Sequence, residues 1–344
     1  MLVEAVPNFS EGRDRHVLGR IAAALDGDGA TVLHVDPNPD AHRTVITLAG
    51  ELEAVCSALF RGVAEATRLI DMRKQHGAHI RVGAADVLPV VALGPGDPRP
   101  AVQRLAERLA SELEIPIFLY ERSALRTPFA SLPRCRRGGY EALAERFQDP
   151  EDGPDLGPPH WCDGSARSGA TVVGVRDLLV AMNFTLDSRD LGLAKGIARA
   201  IRTVGPADRA DCFPALRAVG WTMPAYEGRV QVSVNLLDPR STSAHAVLER
   251  IRALAGEVAV LGAELIGLTP ARVLRDAALH GRGLPEPGWP AEQVLDGPAA
   301  TEEELLQEGV RVLGLDHLGR EQGMDIVQTR VLERQLLEAG LRAG

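Results

Sequence analysis

Hydrophobic and polar positions divide the first half of the chain into a regular order of strands and helices. Short runs rich in β-branched residues predict strands, whereas apolar residues spaced three and four apart predict amphipathic helices. Strands are predicted at residues 2–6, 31–35, 44–48, 87–93 and 115–120, and helices at residues 13–25, 52–70 and 99–113. The order β-α-β-β-α-β, followed by one more helix and strand, is typical of the ferredoxin-like split βαβ arrangement.

The second half repeats this order of elements without repeating the residues. Strands are predicted at residues 170–175, 178–186, 216–221, 230–236 and 258–266, and helices at residues 190–202 and 242–254 and after Pro270. A Pro/Gly linker at residues 284–290 precedes two closing helices at residues 302–313 and 325–341. We therefore expect an α/β (α+β) fold of two ferredoxin-like split βαβ subdomains, residues 1–177 and 178–344, with their sheets stacked on each other and helices outside.

Composition and charge narrow the class of protein. The net charge of −9 and an aromatic content of 4% argue against a nucleic-acid binder. The sequence has no apolar run long enough to cross a bilayer and no signal-peptide pattern at its start, so we expect no membrane partner. Four cysteines stand far apart without CxxC spacing, which favours reduced thiols in the cytoplasm over disulfides or structural zinc.

The densest group of titratable residues lies in a predicted loop, residues 76–86, between a helix and a buried strand. It contains His76, His79, Arg81 and Asp86 among small residues. The two histidines lie three apart, but in a loop they lack the helical register that brings metal ligands together, so we predict no metal site. Acid–base chemistry suits a histidine beside such charges, although capping of the helix or simple solvation would also explain these residues. His42 is a second acid–base candidate.

Two loops near the N-terminus supply further candidates. Asn8 and Ser10 precede a predicted helix, where they either cap it or bind an anion at its N-terminus. Asp36 and Arg43 bound a proline-rich loop between two strands, and they could face each other across the ladder as a surface ion pair.

An arginine-rich segment and a long loop lie between the halves. The arginines are Arg126, Arg134, Arg136 and Arg137. They are either solvated or bind carboxylates or phosphates, which guanidinium groups hold with two hydrogen bonds. The loop at residues 148–169 is rich in Pro, Gly and Asp, and a loop of this length is either disordered or functional, with Trp161 favouring function.

Polar residues alternate along the predicted strand at residues 230–236. Gln231, Ser233 and Asn235 therefore lie on one face. Such a face either forms a buried hydrogen-bond network or lines a cleft, and we favour the cleft.

Several blocks, in order along nearly the whole chain, resemble the glutamate formimidoyltransferase (formiminotransferase) family. They include residues 3–12 (VEAVPNFSEG), 36–40 (DPNPD), 77–84 (GAHIRVGA), 154–158 (PDLGP), 230–233 (VQVS), 264–268 (ELIGL) and 312–316 (VLGLD). The resemblance is to the stand-alone transferase, without the cyclodeaminase domain.

This resemblance implies that a formimino group is moved from N-formimino-L-glutamate to N5 of tetrahydrofolate, the co-substrate, in histidine degradation and folate one-carbon metabolism. It implies a cytoplasmic homodimer with small-molecule substrates, and it places the catalytic histidine at His79 and the folate segment at residues 157–169. The arginine-rich segment would suit the glutamate tail of folate. The remaining predicted binding residues are Asn8, Ser10, Asp36, Arg43, Arg81, Asp86, Gly157, Pro158, Pro159, His160, Trp161, Ser168 and Gly169.

The chain departs from the family pattern at two positions. Ile80 follows the predicted catalytic histidine where the family usually has Pro, and His42 precedes Arg43 where it usually has Asn. These departures leave two alternatives open, a related folate-dependent formyl or one-carbon transferase and a folate-binding protein without catalysis. An RNA-binding module of the same fold class is a third, against which the acidic charge and the lack of spaced aromatics on a strand both argue.

Overall fold

The computed structural model describes residues 1–203, 212–282, 301–317 and 323–341. They form two compact units, Met1–Asp177 together with residues 339–341, and Leu178–Glu338. The predicted linker at residues 284–290 lies outside the described residues.

The first unit is built on a seven-stranded sheet. Its strands are β1 (Leu2–Ala5), β2 (Asn8–Phe9), β3 (Ala30–Asn38), β4 (Arg43–Glu51), β5 (Ala85–Ala92), β6 (Ile117–Leu119) and β7 (Thr171–Val175). Its helices are α1 (Arg15–Leu25), α2 (Leu52–Leu69), α3 (Arg99–Glu112) and the short α4 (Leu132–Cys135), α5 (Leu143–Arg146) and α6 (Asp163–Ser168).

In this sheet the first strand of the split βαβ order lies between the third and the fourth. Pro7 interrupts that first strand, so β1 and β2 pair in turn with β4 on one side and β5 on the other, all antiparallel. β3 pairs with β4 at one edge. β7 and β6 extend the other edge as parallel strands beside β5.

The second unit has a four-stranded sheet with the same relative strand order. Its elements are β8 (Val180–Leu186), α7 (Leu191–Ile201), β9 (Leu216–Met223), β10 (Arg229–Leu236), α8 (Ala244–Ala255), β11 (Val260–Ile266), α9 (Ala271–Gly281), α10 (Glu302–Leu313), α11 (Ile326–Arg330) and α12 (Leu332–Glu338). The sheet order β11-β8-β10-β9 again places the first strand between the third and the fourth. The mixed α/β class and the split βαβ order of both units are thereby confirmed.

Alternation of side chains along the strands separates the apolar core of the second unit from a polar face. Met182, Phe184 and Leu186 belong to a buried cluster with residues of its helices. The intervening Asn183 and Thr185 point to the opposite face, because successive strand residues alternate. None of the described helices is long and apolar enough to cross a membrane.

The polar residue Gln231 of β10 belongs to a buried network on this face, rather than to the cleft that we favoured from the sequence. Its side chain is 0% exposed. The amide nitrogen donates to Thr185 Oγ1 at 2.9 Å and to Glu264 Oε2 at 2.8 Å. Tyr226 also donates its hydroxyl to Glu264. The network therefore pairs the Gln231 amide nitrogen with polar groups of neighbouring strands, whereas Gln231 Oε1 is buried without a hydrogen-bond partner among the described residues.

The closing helix predicted at residues 325–341 is wrong as a single helix. The structure has two helices, separated at Val331, whose backbone is extended with ψ of 119°. The Thr269 N–H donates to the Arg330 carbonyl and the Thr269 carbonyl accepts from the Leu332 N–H, both at 2.9 Å. This tertiary pairing overrides the amphipathic pattern, which alone favours a continuous helix.

Two glycines in the helices of the second unit test how closely its helices pack. A Cβ at Gly309 of α10 would overlap the carbonyl oxygen of Leu274 in α9, whereas a Cβ at Gly196 of α7 would meet nothing within 4 Å. We expect Gly309→Ala to destabilise the protein by roughly 1–3 kcal/mol through overpacking. Gly196→Ala should instead stabilise it by about 0.5–1 kcal/mol, because alanine has less backbone conformational freedom than glycine in the unfolded chain and loses less of it on folding.

Urea denaturation of both variants measures the two changes. The matched pair cancels the helix-propensity gain that the two substitutions share. A Gly309→Ala variant as stable as Gly196→Ala would contradict the close approach of α9 and α10.

Candidate active site

The segment between α2 and β5 carries the predicted catalytic histidine on irregular backbone that its neighbours fix. The Ser10 hydroxyl donates to the Gly83 carbonyl at 2.7 Å. The Ser10 N–H donates to the Ala84 carbonyl at 2.9 Å, and the Ala84 N–H donates to the Ser168 carbonyl at 2.8 Å. Gly83 also forms a bridge with Gly169. The N-terminal loop and the end of the long loop therefore meet at this segment.

The hydrogen bonds of His79 define its tautomer. Nδ1 lies 2.6 Å from the carbonyl oxygen of Ile80. A carbonyl only accepts, so Nδ1 carries the proton and Nε2 carries the lone pair. The ring thus presents its basic nitrogen away from its own backbone.

Arg43, the first residue of β4, lies over the face of the His79 ring. Its Nη1 is 3.0 Å from Nδ1 and 3.1 Å from Nε2. A nitrogen almost equally far from both ring nitrogens cannot lie in the ring plane at these distances without overlapping Cε1. The guanidinium therefore lies off the plane and places a positive charge beside the imidazole.

This environment keeps His79 neutral. Burial of the ring, followed by the charges of Arg43 and Arg136, lowers the pKa of His79 well below its ordinary value of 6.5. Burial and the charge of Arg136 also lower the pKa of Arg43 to about 10, against the opposing effects of Asp86 and Asp36. Arg43 therefore remains a cation at neutral pH while His79 remains a base.

Asp86, the second residue of β5, balances part of this positive charge. Its side chain is 0% exposed, and Arg136 is 8% exposed. The carboxylate accepts from the Val82 N–H at 2.9 Å and from Arg136 Nε at 3.3 Å, with Arg136 Nη2 as a further donor. Asp36, also buried, lies on β3 opposite Val45, two places from the Asn38–Arg43 pair, so it does not face Arg43 directly across the ladder.

Arg81, a predicted binding residue, uses its guanidinium on partners within the first unit. It donates to the Gln75 side chain at 2.7 Å and to the Gln75 carbonyl at 3.0 Å. It also makes two bonds to the Glu141 carboxylate, at 2.7 and 2.9 Å. These bonds join the His79 segment to the helical region after β6, and a substrate-binding role for Arg81 stays a prediction.

The arginines of the predicted arginine-rich segment form ion pairs with aspartates of the same unit. The pairs are Arg126 with Asp155, Arg134 and Arg137 with Asp152, and Arg136 with Asp86. The side chain of Arg137 is 57% exposed. Each of the four arginines thus has an ion-pair partner within the chain, an arrangement that the sequence analysis did not consider, and binding of the glutamate tail of folate by this segment stays a prediction.

The first part of the predicted folate loop lies against the start of β6. A Cβ at Gly157, whose φ is +116°, would crowd the backbone of Ile115 and Pro116, so this position requires glycine. Pro158 is partly buried and Pro159 is exposed. β6 is the edge strand beyond β5 and β7, so this part of the loop is separated from the β4 and β5 ends that carry Arg43 and Asp86.

The second part of the loop returns toward the His79 segment. Trp161 packs against Tyr140 and Phe147, with ring centroids 6.2 and 5.3 Å away. The Tyr140 N–H donates to the Arg81 carbonyl at 2.8 Å. His160 is exposed. Residues 163–168 form α6, so this part of the loop is helical rather than irregular.

Sequence patterns identified some members of the site but not their partners. The structure brings together His79 with Arg43, and Ser10 with the backbone near Ser168 and Gly169. Asn8 instead donates its amide to the Val6 carbonyl at 2.8 Å, which caps the kink at Pro7. The sequence analysis missed Gln75, Glu141 and Glu11, whose roles depend on distant partners; only Glu11, within the block at residues 3–12, carried a local signal.

Comparisons with known proteins identify the same family in both halves of the chain. The model of the formiminotransferase domain, N-terminal subdomain, matches residues 2–176, and that of the formiminotransferase domain matches residues 181–321. A glutamate formimidoyltransferase of Streptococcus pyogenes serotype M1 is 36% identical over 283 residues, covering 80% of this chain and 92% of the relative. That of Thermoplasma acidophilum is 35% identical, covering 81% and 91%.

Longer relatives match over the same part of the chain. The formimidoyltransferase-cyclodeaminase of Rattus norvegicus is 38% identical over 288 residues, which is 80% of this chain and 52% of the relative. The chain thus spans about half the length of these curated relatives.

The buried Asp86–Arg136 pair should be required for stability. We expect Asp86→Asn to cost about 3–5 kcal/mol in the free energy of unfolding, because Arg136 would stay buried without its counter-ion. Urea denaturation measures the cost, and Asp86→Asn/Arg136→Met should recover much of it by removing the stranded charge. A double variant less stable than the single variant would contradict this account.

The Arg43 charge should set the protonation of His79. In the wild type, an NMR titration of the imidazole carbon-bound protons should find His79 neutral at and below pH 6.5, since its pKa is lowered. Arg43→Gln should raise the pKa of His79 toward that ordinary value by removing a neighbouring cation. Arg43→Lys is the control that keeps the charge, and an unchanged titration in Arg43→Gln would rule out the proposed effect.

Proposed function

The chain belongs to the formiminotransferase family, and we propose that it transfers the formimino group of N-formimino-L-glutamate to tetrahydrofolate. The reaction joins the formimino carbon to N5 of tetrahydrofolate and releases the amino group of glutamate. The family match over both units supports this assignment, and the structural observation that carries it is the neutral His79 ring, whose Nδ1 holds the proton and whose Nε2 holds the lone pair.

His79 would move one proton in each turnover. Its Nε2 lone pair accepts the proton that the attacking N5 must lose, and the resulting imidazolium donates it to the departing glutamate nitrogen. Both steps suit a group that is neutral at rest and weakly basic, because the Arg43 charge makes the imidazolium a stronger acid. Atoms and charge balance with no further reactant.

Several other groups support binding of the two substrates. We infer that the aromatic cluster of Trp161, Tyr140 and Phe147 would pack against a planar heterocycle. Arg43 and Arg136 place positive charge near the carboxylates of an acidic donor. The part of this proposal that concerns Asn8, Ser10, Asp36, Arg81, Asp86 and residues 157–169 rests on the family resemblance.

The proposal extends to the cellular setting. We expect a homodimer that acts on small molecules in the cytoplasm, in histidine degradation, with no nucleic-acid or membrane partner. None of the four cysteines forms a disulfide, which suits a reducing compartment. The acidic charge of −9 disfavours nucleic acid. Light scattering of the purified chain tests the dimer.

A related one-carbon donor is a second candidate, which Ile80 favours. Its side chain is 48% exposed beside His79. An exposed apolar group next to the reacting histidine, where the family usually has proline, would contact the donor and shape which donor is accepted. N-formyl-L-glutamate, assayed beside the formimino compound, distinguishes the two candidates by their relative kcat/KM.

A turnover assay with tetrahydrofolate and formiminoglutamate tests the function, with His79→Ala beside it. Loss of the proton-transfer group should lower kcat by roughly 10²–10⁴-fold. His16→Ala is the control, because His16 lies exposed on α1. Absence of a folate product from the wild type would falsify the transferase assignment, whereas full activity of His79→Ala would remove His79 from the mechanism. Stabilisation by tetrahydrofolate without turnover would support a binding protein.

A further inference from the structure

We propose that His42 is a positioning residue whose protonated ring holds Arg43 over His79. The ring lies where three segments of the first unit meet. They are the loop between β2 and α1, the turn between β3 and β4, and the segment between α2 and β5. The first segment carries Ser10, the second leads into Arg43 at the start of β4, and the third carries His79. The proposal rests on the proposed function only for its effect on turnover, since the contacts exist without the reaction.

Both nitrogens of the His42 ring face groups that only accept hydrogen bonds. Nδ1 lies 2.8 Å from the carbonyl oxygen of His76, and Nε2 lies 3.2 Å from Oε1 of Glu11. A neutral imidazole has one N–H, so one of these contacts would set a lone pair against an oxygen. Turning the ring over would direct carbon atoms at both oxygens. The protonated ring alone donates to both partners.

The carboxylate of Glu11 is held in place for this contact. The same oxygen accepts from the backbone N–H groups of Gly12, Arg13 and Asp14, at 2.9, 2.7 and 2.9 Å. The side chains of His42 and Glu11 are each 14% exposed, so the pair is screened less than a surface ion pair. A carboxylate fixed by three backbone donors cannot follow the ring if the ring moves, and the contact therefore orients His42.

The backbone conformation at His42 allows the role of its ring to be tested separately from the role of the turn. Its φ is +48°, a region that asparagine tolerates better than most residues. The His42 carbonyl accepts from the Gln75 side chain at 2.9 Å, and the Ala78 N–H donates to the Asp40 carbonyl at 3.2 Å. His42→Asn keeps this turn geometry but has too short a side chain to reach both ring partners.

Charged groups on the three segments set the balance at the ring. They are Glu11, Arg13, Asp14, Asp40, Asp71, Arg73, Lys74, His76, His79 and Arg81, together with Arg43 at the start of β4. Glu11 touches the ring and favours its protonated form, whereas the neighbouring Arg43 opposes it. Replacing Glu11 by glutamine keeps a hydrogen-bond acceptor and removes the charge. Glu11→Gln therefore isolates the electrostatic part of the contact between Glu11 and the His42 ring.

NMR of the full chain with 15N-labelled histidine tests the protonation state independently of any activity. The chain has nine histidines, and the signals lost in His42→Asn identify His42. We expect two protonated ring nitrogens in the wild type, and loss of the second proton at lower pH in Glu11→Gln. A neutral His42 throughout about pH 6 to 8, or identical titrations in the two proteins, would overturn the proposal.

The titration of His79 reports whether the His42 ring affects the position of Arg43. If the ring of His42 holds Arg43 in place, His42→Asn should raise the pH at which His79 titrates, because the neighbouring cation is displaced. Exposed His16→Asn is the matched control and should leave His79 unchanged. An unaltered His79 titration in His42→Asn would show that Arg43 keeps its place without the ring, and would refute the positioning role.

Kinetics extend the test to turnover. We expect His42→Asn to lower kcat by roughly tenfold or more, with a smaller change in KM, because a displaced reacting group costs rate more than binding. Equal kcat and KM in the two proteins would count against the proposal. An inactive wild type would instead refute the proposed function, while the NMR result would still decide the role of His42.

Discussion

The buried carboxylate of Asp86 is the constraint on which the candidate site depends. Two arginines and a histidine share one region of the protein interior, and burying cations without counter-ions costs several kcal/mol per ion. Asp86 is fixed at the start of β5 by the Val82 N–H and pairs with Arg136. Arg136 therefore stays close enough to act on His79 without being stranded.

Burial and nearby positive charge together determine what the histidine can do. Burial of the ring, followed by the charges of Arg43 and Arg136, lowers the pKa of His79, so the ring rests as a free base and any proton that it accepts is held weakly. Such a group passes a proton between two nitrogens in succession, which matches the exchange of one amine for another on a single carbon.

Local patterns in the sequence predicted the elements better than their partners. Alternating strands and amphipathic helices gave the split βαβ order, because periodicity depends only on which face is buried. The break at Val331 depends on a pairing with Thr269, more than sixty residues earlier, and no local pattern contains it. Likewise, the family blocks pointed to His79 and Arg43, but the partners of Arg81 and Arg136 follow from tertiary placement. Gln231 was assigned to a cleft because alternation shows a shared face without showing what covers it.

β5 has a consequence for the dynamics of the site. Seven of its eight residues are buried, and it is hydrogen-bonded on one side to β1 and β2 and on the other to β7. A strand paired along both edges exchanges its amide hydrogens only when the surrounding sheet opens, so it belongs to the slowest cooperative unit of the domain. The His79 segment enters this strand directly. Local opening of that segment therefore stops at Ala85, and the sheet that anchors it remains closed.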